Sequence, residues 1–265
     1  MKDSVTLANN IRKLALIMNH NANASHIGGA LSIADILAVL YERVLKIYPE
    51  APANPLRDRF LLSKGHACSA LYAVLALKGY FEQELLDTYS KNGSKFITHA
   101  SHNVPGVELS TGSLGHALSV GCGIALAAKR RQKNFKTYVL VSDGELDEGS
   151  NWEAILFAPH HKLDKLTLIV DYNKIQSLGR TDEVLSLEPL KSKFESCNWN
   201  TQEIDGHDHE AIYNALVSTE NNDRPKVIIA HTVKGKGVDF MEDKLLWHYK
   251  SPDEAQLKDA IDQLI

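Results

Sequence analysis

Apolar residues recur every three to four positions over 4–18, 32–46, 66–79, 82–90, 115–131, 149–161, 208–220 and 252–264, the spacing that gives a helix one buried face. Between these segments lie apolar runs of strand length: "RFLLS" (59–63), "KTYVLVS" (136–142), "KLTLIVDYN" (165–173), "TQEID" (201–205) and "KVIIAHTV" (226–233). Several are apolar at consecutive positions and rich in Val, Ile and Leu, as expected of strands buried on both faces of a parallel sheet. Strands alternating with helices predict an α/β fold, a doubly wound, mainly parallel sheet with helices on both faces. In such sheets ligands gather outside the carboxyl ends of the strands. Those ends carry Ser63-Lys64-Gly65-His66, Asp143-Gly144-Glu145, Asp171-Tyr172-Asn173 and His231-Thr232-Val233-Lys234. Residues 174–200 read as a loop and a short helix, with "SLGRTDEVLSLEPL" passing over the site.

Composition narrows the function. A chain of 265 residues, 44% of them hydrophobic, can bury a sizeable core and is expected to form one domain over 1–265. The formal charge of −4 and the lack of a basic cluster interleaved with aromatics argue against nucleic acid. Cys68, Cys122 and Cys197 are far apart with no CxxC, so they read as buried thiols rather than as a disulfide framework or a zinc site. The N-terminus lacks a signal-like apolar region, and "ALSVGCGIALAA" is too short to span a bilayer. A cytoplasmic protein without membrane contact is the expectation.

Asp143 and Asn173 end two successive strands of one βαβ unit, which places consecutive parallel strands side by side. A carboxylate and an amide oxygen, with Gly144 allowing close approach, suit a hard divalent cation that fills its shell with phosphate oxygens and water. A helix starting near Gly149 would add free N–H groups at that phosphate. From the residues alone an Asp capping the next helix and an Asn in a turn explain the pair equally well. Other motifs carry less. "KGKG" (234–237) lacks phosphate-loop spacing and reads as a turn, and "STGSLGHALSVGCG" is no GxGxxG fingerprint. Of the twelve histidines, His20, His160, His161, His207 and His209 read as surface or satisfied core residues.

Asp-Gly followed some thirty residues later by Asn resembles the thiamine-diphosphate signature, and the likeness extends along nearly the whole chain. "ASHIGGALSIADILAVLY", "LSKGHACSALYAVLALKGY", "SHNVPGVELSTGSLGHALSVGCGIALAAK", "DGELDEGSNWEAILFAPHHKLDKLTLIVDYNKIQSLG" and "AHTVKGKGVDFMEDKLLWHYKSP" resemble, in order, segments of the transketolase family. The resemblance implies that Asp143 and Asn173 bind Mg²⁺, or Ca²⁺ or Mn²⁺ in its place, with the Ile175 carbonyl. It implies that Gly144 meets the diphosphate through its N–H, that His66, Asn173, His248 and Glu145 belong to the cofactor-binding set, and that Gly112, Ser113 and Leu114 pack around the cofactor rings. His26, His102 and His248 would surround the reacting carbon, and Glu148 would join a catalytic relay across a subunit interface. Glu145 and Asp147 are equally explained as helix-start acids.

The implied reaction is transfer of a two-carbon ketol unit from a ketose to an aldose acceptor. The family's second, pyrimidine-binding domain has no counterpart here, so a separate partner subunit in an α2β2 assembly is expected. Ser142 stands where the family more often has Gly, His116 where Gln is usual, and "SHNV" where His-Pro-Glu is common. Those departures bear on substrate preference more than on the cofactor, and leave room for an enzyme adding a ketol or acyl unit to an activated sugar. A non-catalytic binding or scaffold subunit is the reading from another class; both metal side chains and the site histidines speak against it.

Overall fold

The computed structural model describes residues 2–219 and 223–264. Its strands are β1 (Arg59–Leu62), β2 (Thr137–Ser142), β3 (Leu166–Tyr172), β4 (Ile175–Gln176), β5 (Gly179–Arg180), β6 (Asn200–Asp205) and β7 (Lys226–His231). Its α-helices are α1 (Lys2–Ala22), α2 (Ile27–Leu31), α3 (Ala34–Val39), α4 (Cys68–Leu77), α5 (Ala117–Arg130), α6 (Gly149–His160), α7 (Thr181–Val184), α8 (Leu190–Ser196), α9 (His209–Val217) and α10 (Glu254–Gln263). Five strands form one sheet in the order β1-β2-β3-β7-β6, every neighbouring pair parallel. The predicted doubly wound α/β architecture is the one observed. Among the described residues no helix is long and apolar enough to cross a membrane.

The consecutive apolar residues of the strands divide between two cores, because successive side chains point to opposite faces. Phe60, Leu62, Tyr138, Leu140, Ile169, Ile228 and Ala230 join the layer of α1, α3, α4, α9 and α10. Leu61, Val139, Val141, Leu168, Val170, Val227 and Ile229 join the opposite layer of α5, α6 and α8. Fully burying one such side chain contributes about 1.5–3 kcal/mol, so both layers are held firmly to the sheet.

The predicted elements stand with shifts at their ends. The 32–46 pattern becomes α3 followed by a π-helical turn over Leu40–Val44, and 82–90 a 3₁₀ turn over Gln83–Thr88. The pattern over 208–220 ends as α9 at Val217, and Glu220 lies outside the described residues. Within the stretch read as a loop, β4 and β5 form an antiparallel hairpin. Two residue pairs are too few to show alternation in sequence, and Gly179, at φ 150°, takes the bend. All five parallel strands deliver their carboxyl ends to one edge, where the site is built.

Candidate active site

β2 and β3 run in register to the pair Ser142–Asp171, so the chain leaves both strands at the same level. Asp143 follows at once, buried, with its N–H donating to the Asp171 carbonyl at 3.2 Å. One carboxylate oxygen accepts from Gly144 N at 2.7 Å and the other from Lys174 N. Asp143 therefore grips the backbone between Asn173 and Ile175, and the three predicted metal ligands converge. Asn173 is buried; its Nδ2 donates to Asp171 at 2.9 Å, turning Oδ1 the other way, where it accepts from Ile175 N at 3.1 Å. Burial, and then the neighbouring charge of Asp171, push the Asp143 carboxyl up to about 6. A hard-oxygen set of carboxylate, amide and carbonyl suits Mg²⁺, and a cation there would offset two facing carboxylates. The residues fit the ion.

Asp171 is the hidden organiser of this edge. Fully buried, it accepts from Ser32 Oγ at 2.8 Å, Lys64 Nζ at 2.5 Å, Asn173 Nδ2 and Thr232 Oγ1. Burial by itself would raise its carboxyl, but the Lys64 ammonium overrides that and holds it below the usual range.

Above this floor stand four imidazoles. His26 touches His66, His99 and His248 with ring centroids 5.1, 6.0 and 5.0 Å apart, and His66 lies 5.8 Å from His248. The His26 N–H donates to the His248 carbonyl at 3.0 Å, so the two approach as a fixed pair. His26 itself is held at φ 75°, in the left-handed region that non-glycine residues rarely adopt. Burial, reinforced by the Lys234 and Lys64 ammoniums, lowers His26 to about 4 and His248 to about 3, and holds His66 well below its ordinary value. All are neutral at pH 7.

The source of that positive field is two strand-end lysines to which no motif assigns a role. Lys64 and Lys234 are both buried. Lys234 Nζ lies 2.8 Å from the Ile175 carbonyl and 3.0 Å from His248 Nδ1, and burial lowers it to about 8. Its carboxyl-end position on "HTVK" is the available signal, and the turn reading of "KGKG" obscures it. The turn is real as well: Gly235 sits at φ 84°, where a Cβ would fall 2.3 Å from the Met241 carbonyl. A buried ammonium without a carboxylate partner is suited to holding an anion.

Other predicted residues fall elsewhere than expected. Glu145 lies beneath the cradle, fully buried, accepting from Ser63 Oγ, Gly115 N at 2.8 Å and Ser142 N at 3.3 Å. It ties the 112–115 loop to the ends of β1 and β2 and turns no oxygen outward as a helix-start acid would. The Gly144 N–H is taken by Asp143, and the missing side chain makes room for Gln176, whose Cβ would be 2.6 Å from one on Gly144. Between Asp143 and α6 a 3₁₀ turn intervenes (Gly144–Asp147), so the start of α6 meets Gly115 instead, through Ser150 Oγ donating to its carbonyl at 2.8 Å. Glu148 is exposed at that start and makes no capping bond. Gly112, Ser113 and Leu114 line the loop that crosses in front of Gly115, Ser113 being exposed. His102 is exposed, its Nδ1 2.7 Å from Ser110 Oγ, and the ring that reaches His26 is His99.

The family described as "Transketolase, thiamine diphosphate binding domain" matches residues 4–261. The chain belongs to the transketolase family of transferases. It is 41% identical over 251 residues to a subunit of the apulose-4-phosphate transketolase of Phocaeicola vulgatus, covering 94% of this chain and 89% of that one. It is 43% identical to the SqwG subunit of the 6-deoxy-6-sulfo-D-fructose transketolase of Clostridium sp., covering 97% and 94%. A crystal structure of the transketolase of Campylobacter jejuni superposes with a TM-score of 0.94 at 36% identity, covering all of this chain and 43% of that one. The chain thus corresponds to the N-terminal, thiamine-diphosphate-binding part of a transketolase, and relatives matched over nearly their whole length are named as separate subunits.

Proposed function

We propose that this chain is a single-domain, thiamine-diphosphate- and Mg²⁺-binding subunit of a two-chain transketolase, moving a two-carbon ketol unit from a ketose to an aldose. The observation that carries this reading is the meeting, at one sheet edge, of the Asp143–Asn173–Ile175 oxygens, the Lys234 ammonium and neutral imidazoles. Asp143, Asn173 and the Ile175 carbonyl would hold the metal. Lys234 and His66 would face the diphosphate, and Gly112, Ser113 and Leu114 would flank the rings. When bound, thiamine diphosphate supplies the nucleophilic carbon and the electron sink for carbon–carbon cleavage. The protein's part is orientation and proton movement: His26 and His248, held neutral by burial, would bind sugar hydroxyls and pass protons.

Exposed Glu148, at the start of α6, is suited to a hydrogen bond across an interface with a C-terminal, pyrimidine-binding subunit in an α2β2 assembly. The named relatives act on a phosphorylated and a sulfonated ketose, which supports a donor with an anionic end. Calorimetry with thiamine diphosphate and Mg²⁺, with and without the partner chain, tests the reading together with Asp143→Ala. Loss of the metal carboxylate is expected to weaken Mg²⁺-dependent cofactor binding at least a hundredfold in a folded protein. Unchanged affinity in that variant would remove the metal assignment, and full ketol transfer by this chain alone would remove the partner.

A further inference from the structure

Lys234 reaches the cradle from a segment that no strand holds. The register on both sides of β7 ends at His231, paired with Tyr172 of β3 and Asp205 of β6. The Thr232 N–H still finds the Tyr172 carbonyl at 3.2 Å, and there the ladder runs out. The next N–H, that of Val233, is given a side-chain acceptor instead: it donates to His207 Nε2 at 2.8 Å. On the other side of the lysine, Gly235 N donates to the Gly28 carbonyl at 2.9 Å. Lys234 is thus carried between two anchors, one of them an imidazole.

His207 stands in the turn between β6 and α9, and its own mounting is rigid. Its backbone N–H donates to Asp205 Oδ1 at 2.8 Å, and its Nδ1 lies 2.7 Å from Asp35 Oδ2. The Val233 N–H can only donate, so Nε2 is the accepting nitrogen and the ring proton is on Nδ1, where it donates to Asp35. Asp35 is buried in α3 and fixed in turn by Arg12 of α1 and His209 of α9. The support of Val233 is therefore tied to three helices rather than to a free loop.

The stem of Lys234 transmits what happens at that anchor. It is buried, and a Cβ on Gly28 would fall 3.1 Å from its Cγ. With so little room the side chain cannot re-aim. A backbone shift at Val233 would carry Nζ away from the Ile175 carbonyl and His248 Nδ1, now at 2.8 and 3.0 Å.

We propose that His207 is a positioning residue for Lys234: by accepting the Val233 N–H it sets where the ammonium meets the diphosphate, and so governs cofactor affinity without touching the cofactor. The proposal rests on the cofactor reading above. It gives the Asp35 network a consequence besides stability, and only one of the two ring nitrogens carries it.

The full chain, assembled with its partner subunit, is titrated by calorimetry with thiamine diphosphate at saturating Mg²⁺. Two variants divide the ring. His207→Asn places its amide where Nδ1 stands, keeping a donor for Asp35 and losing the acceptor for Val233. His207→Gln reaches the place of Nε2, keeping that acceptor and losing the donor. His207→Asn is expected to weaken thiamine diphosphate about tenfold, and His207→Gln by less than about threefold. Denaturant unfolding should rank them the other way, with His207→Asn the more stable, because a bond to a charged group contributes more than one to a backbone N–H. A purely structural role would make affinity follow stability. In a Lys234→Met background, itself expected to bind at least about tenfold more weakly than wild type, adding His207→Asn should cost less than a further twofold, since both changes act through one ammonium. Equal losses in the two variants, affinities that follow the stabilities, or a further tenfold loss on top of Lys234→Met would each overturn the positioning role. Unchanged affinity in Lys234→Met would overturn the assignment of that lysine to the diphosphate. No binding by the wild-type pair would overturn the cofactor reading itself, and in both of these cases the role of His207 falls with it.

Discussion

Two groups of histidines stand at the same edge of the sheet and are treated in opposite ways. His207 and His209 close around a buried carboxylate: His207 Nδ1 lies 2.7 Å from Asp35 Oδ2, and His209 Nε2 3.1 Å from Asp35 Oδ1. Their second nitrogens are also occupied, His207 Nε2 accepting from Val233 N at 2.8 Å and His209 Nδ1 lying 2.9 Å from Ser4 Oγ. Arg12 completes the ring with two bonds to the same carboxylate. Burial alone would raise the Asp35 carboxyl, but these partners hold it far below the usual range. In the other group, no protein hydrogen bond reaches the ring nitrogens of His26, His66 or His99 among the described residues, and His248 has only the Lys234 contact. A fold that completes one set and leaves the next open is reserving the second for a ligand, since a buried polar group without a partner costs stability.

Breaking the closed group should give the largest effect on stability. Asp35→Asn removes the charge that holds Arg12, His207 and His209 and leaves a buried guanidinium unpaired. Denaturant unfolding should register a loss of about 3 kcal/mol, typical of breaking one side of a buried ion pair. Thiamine diphosphate affinity, measured in the surviving folded fraction, should stay within threefold. A loss below about 1 kcal/mol would show that the network is not a structural anchor, and the contrast would collapse.

The contrast also separates what the sequence discloses from what it hides. Strands β2, β3 and β7 are readable because residues buried on both faces give uninterrupted apolar runs, and Asp143 and Asn173 because they terminate two of those runs. His207 and His209 are rightly set apart as satisfied residues, although nothing in "DGHDHEA" names Asp35, 172 and 174 positions away, as their partner. Glu145 is misread for the same reason. An acid at a helix start is normally exposed, and only the crossing of the Gly115 loop turns this one inward. Lys64, Lys234 and His99 carry no local spacing rule. They become functional candidates through packing: Gly28, where a Cβ would lie 3.1 Å from Lys234 Cγ, lets α2 come down onto the lysine. Long-range proximity of this kind is written in the fold and not in any window of residues.

Acid sharpens the comparison with a smaller effect. His26, His66 and His248 have folded pKa values below the ordinary 6.5, so the unfolded chain takes up protons first as pH falls. Stability from the open group is therefore fully present above about pH 6.5 and is lost progressively towards pH 4, where His26 titrates. Allowing for the solvent that reaches these rings, the loss over that window should be about 2 kcal/mol. It should shrink in a His26→Gln, His248→Gln double variant. Asp35 adds nothing there, because a depressed carboxyl loses its contribution only below its unfolded value of 3.8. The raised carboxyls of Asp143 and Glu145 act with the opposite sign over the same window, so the loss is read as the difference between the wild type and the double variant; profiles that coincide from pH 7 to 4.5 would mean that the imidazoles are not held neutral by the fold.

The smallest effect is the most discriminating, because the two groups predict opposite signs. Replacing a satisfied polar side chain strands its partners, whereas replacing one that has no partner removes a desolvation cost. His207→Leu should therefore destabilise the chain by about 1 kcal/mol, leaving Asp35 and the Val233 N–H each short of a bond. His66→Leu has no protein bond to lose, and its leucine would lie near Gly29, where a Cβ would fall 3.8 Å from the present imidazole Nε2. Thermal unfolding without cofactor should show His66→Leu unchanged or stabilised by up to about 0.5 kcal/mol, while thiamine diphosphate binding weakens. Stability and binding would then move in opposite directions at one residue, as expected where a site is kept open at the expense of the fold. If His66→Leu instead destabilised the chain as much as His207→Leu, both groups would be structural, and the open imidazoles would need another explanation.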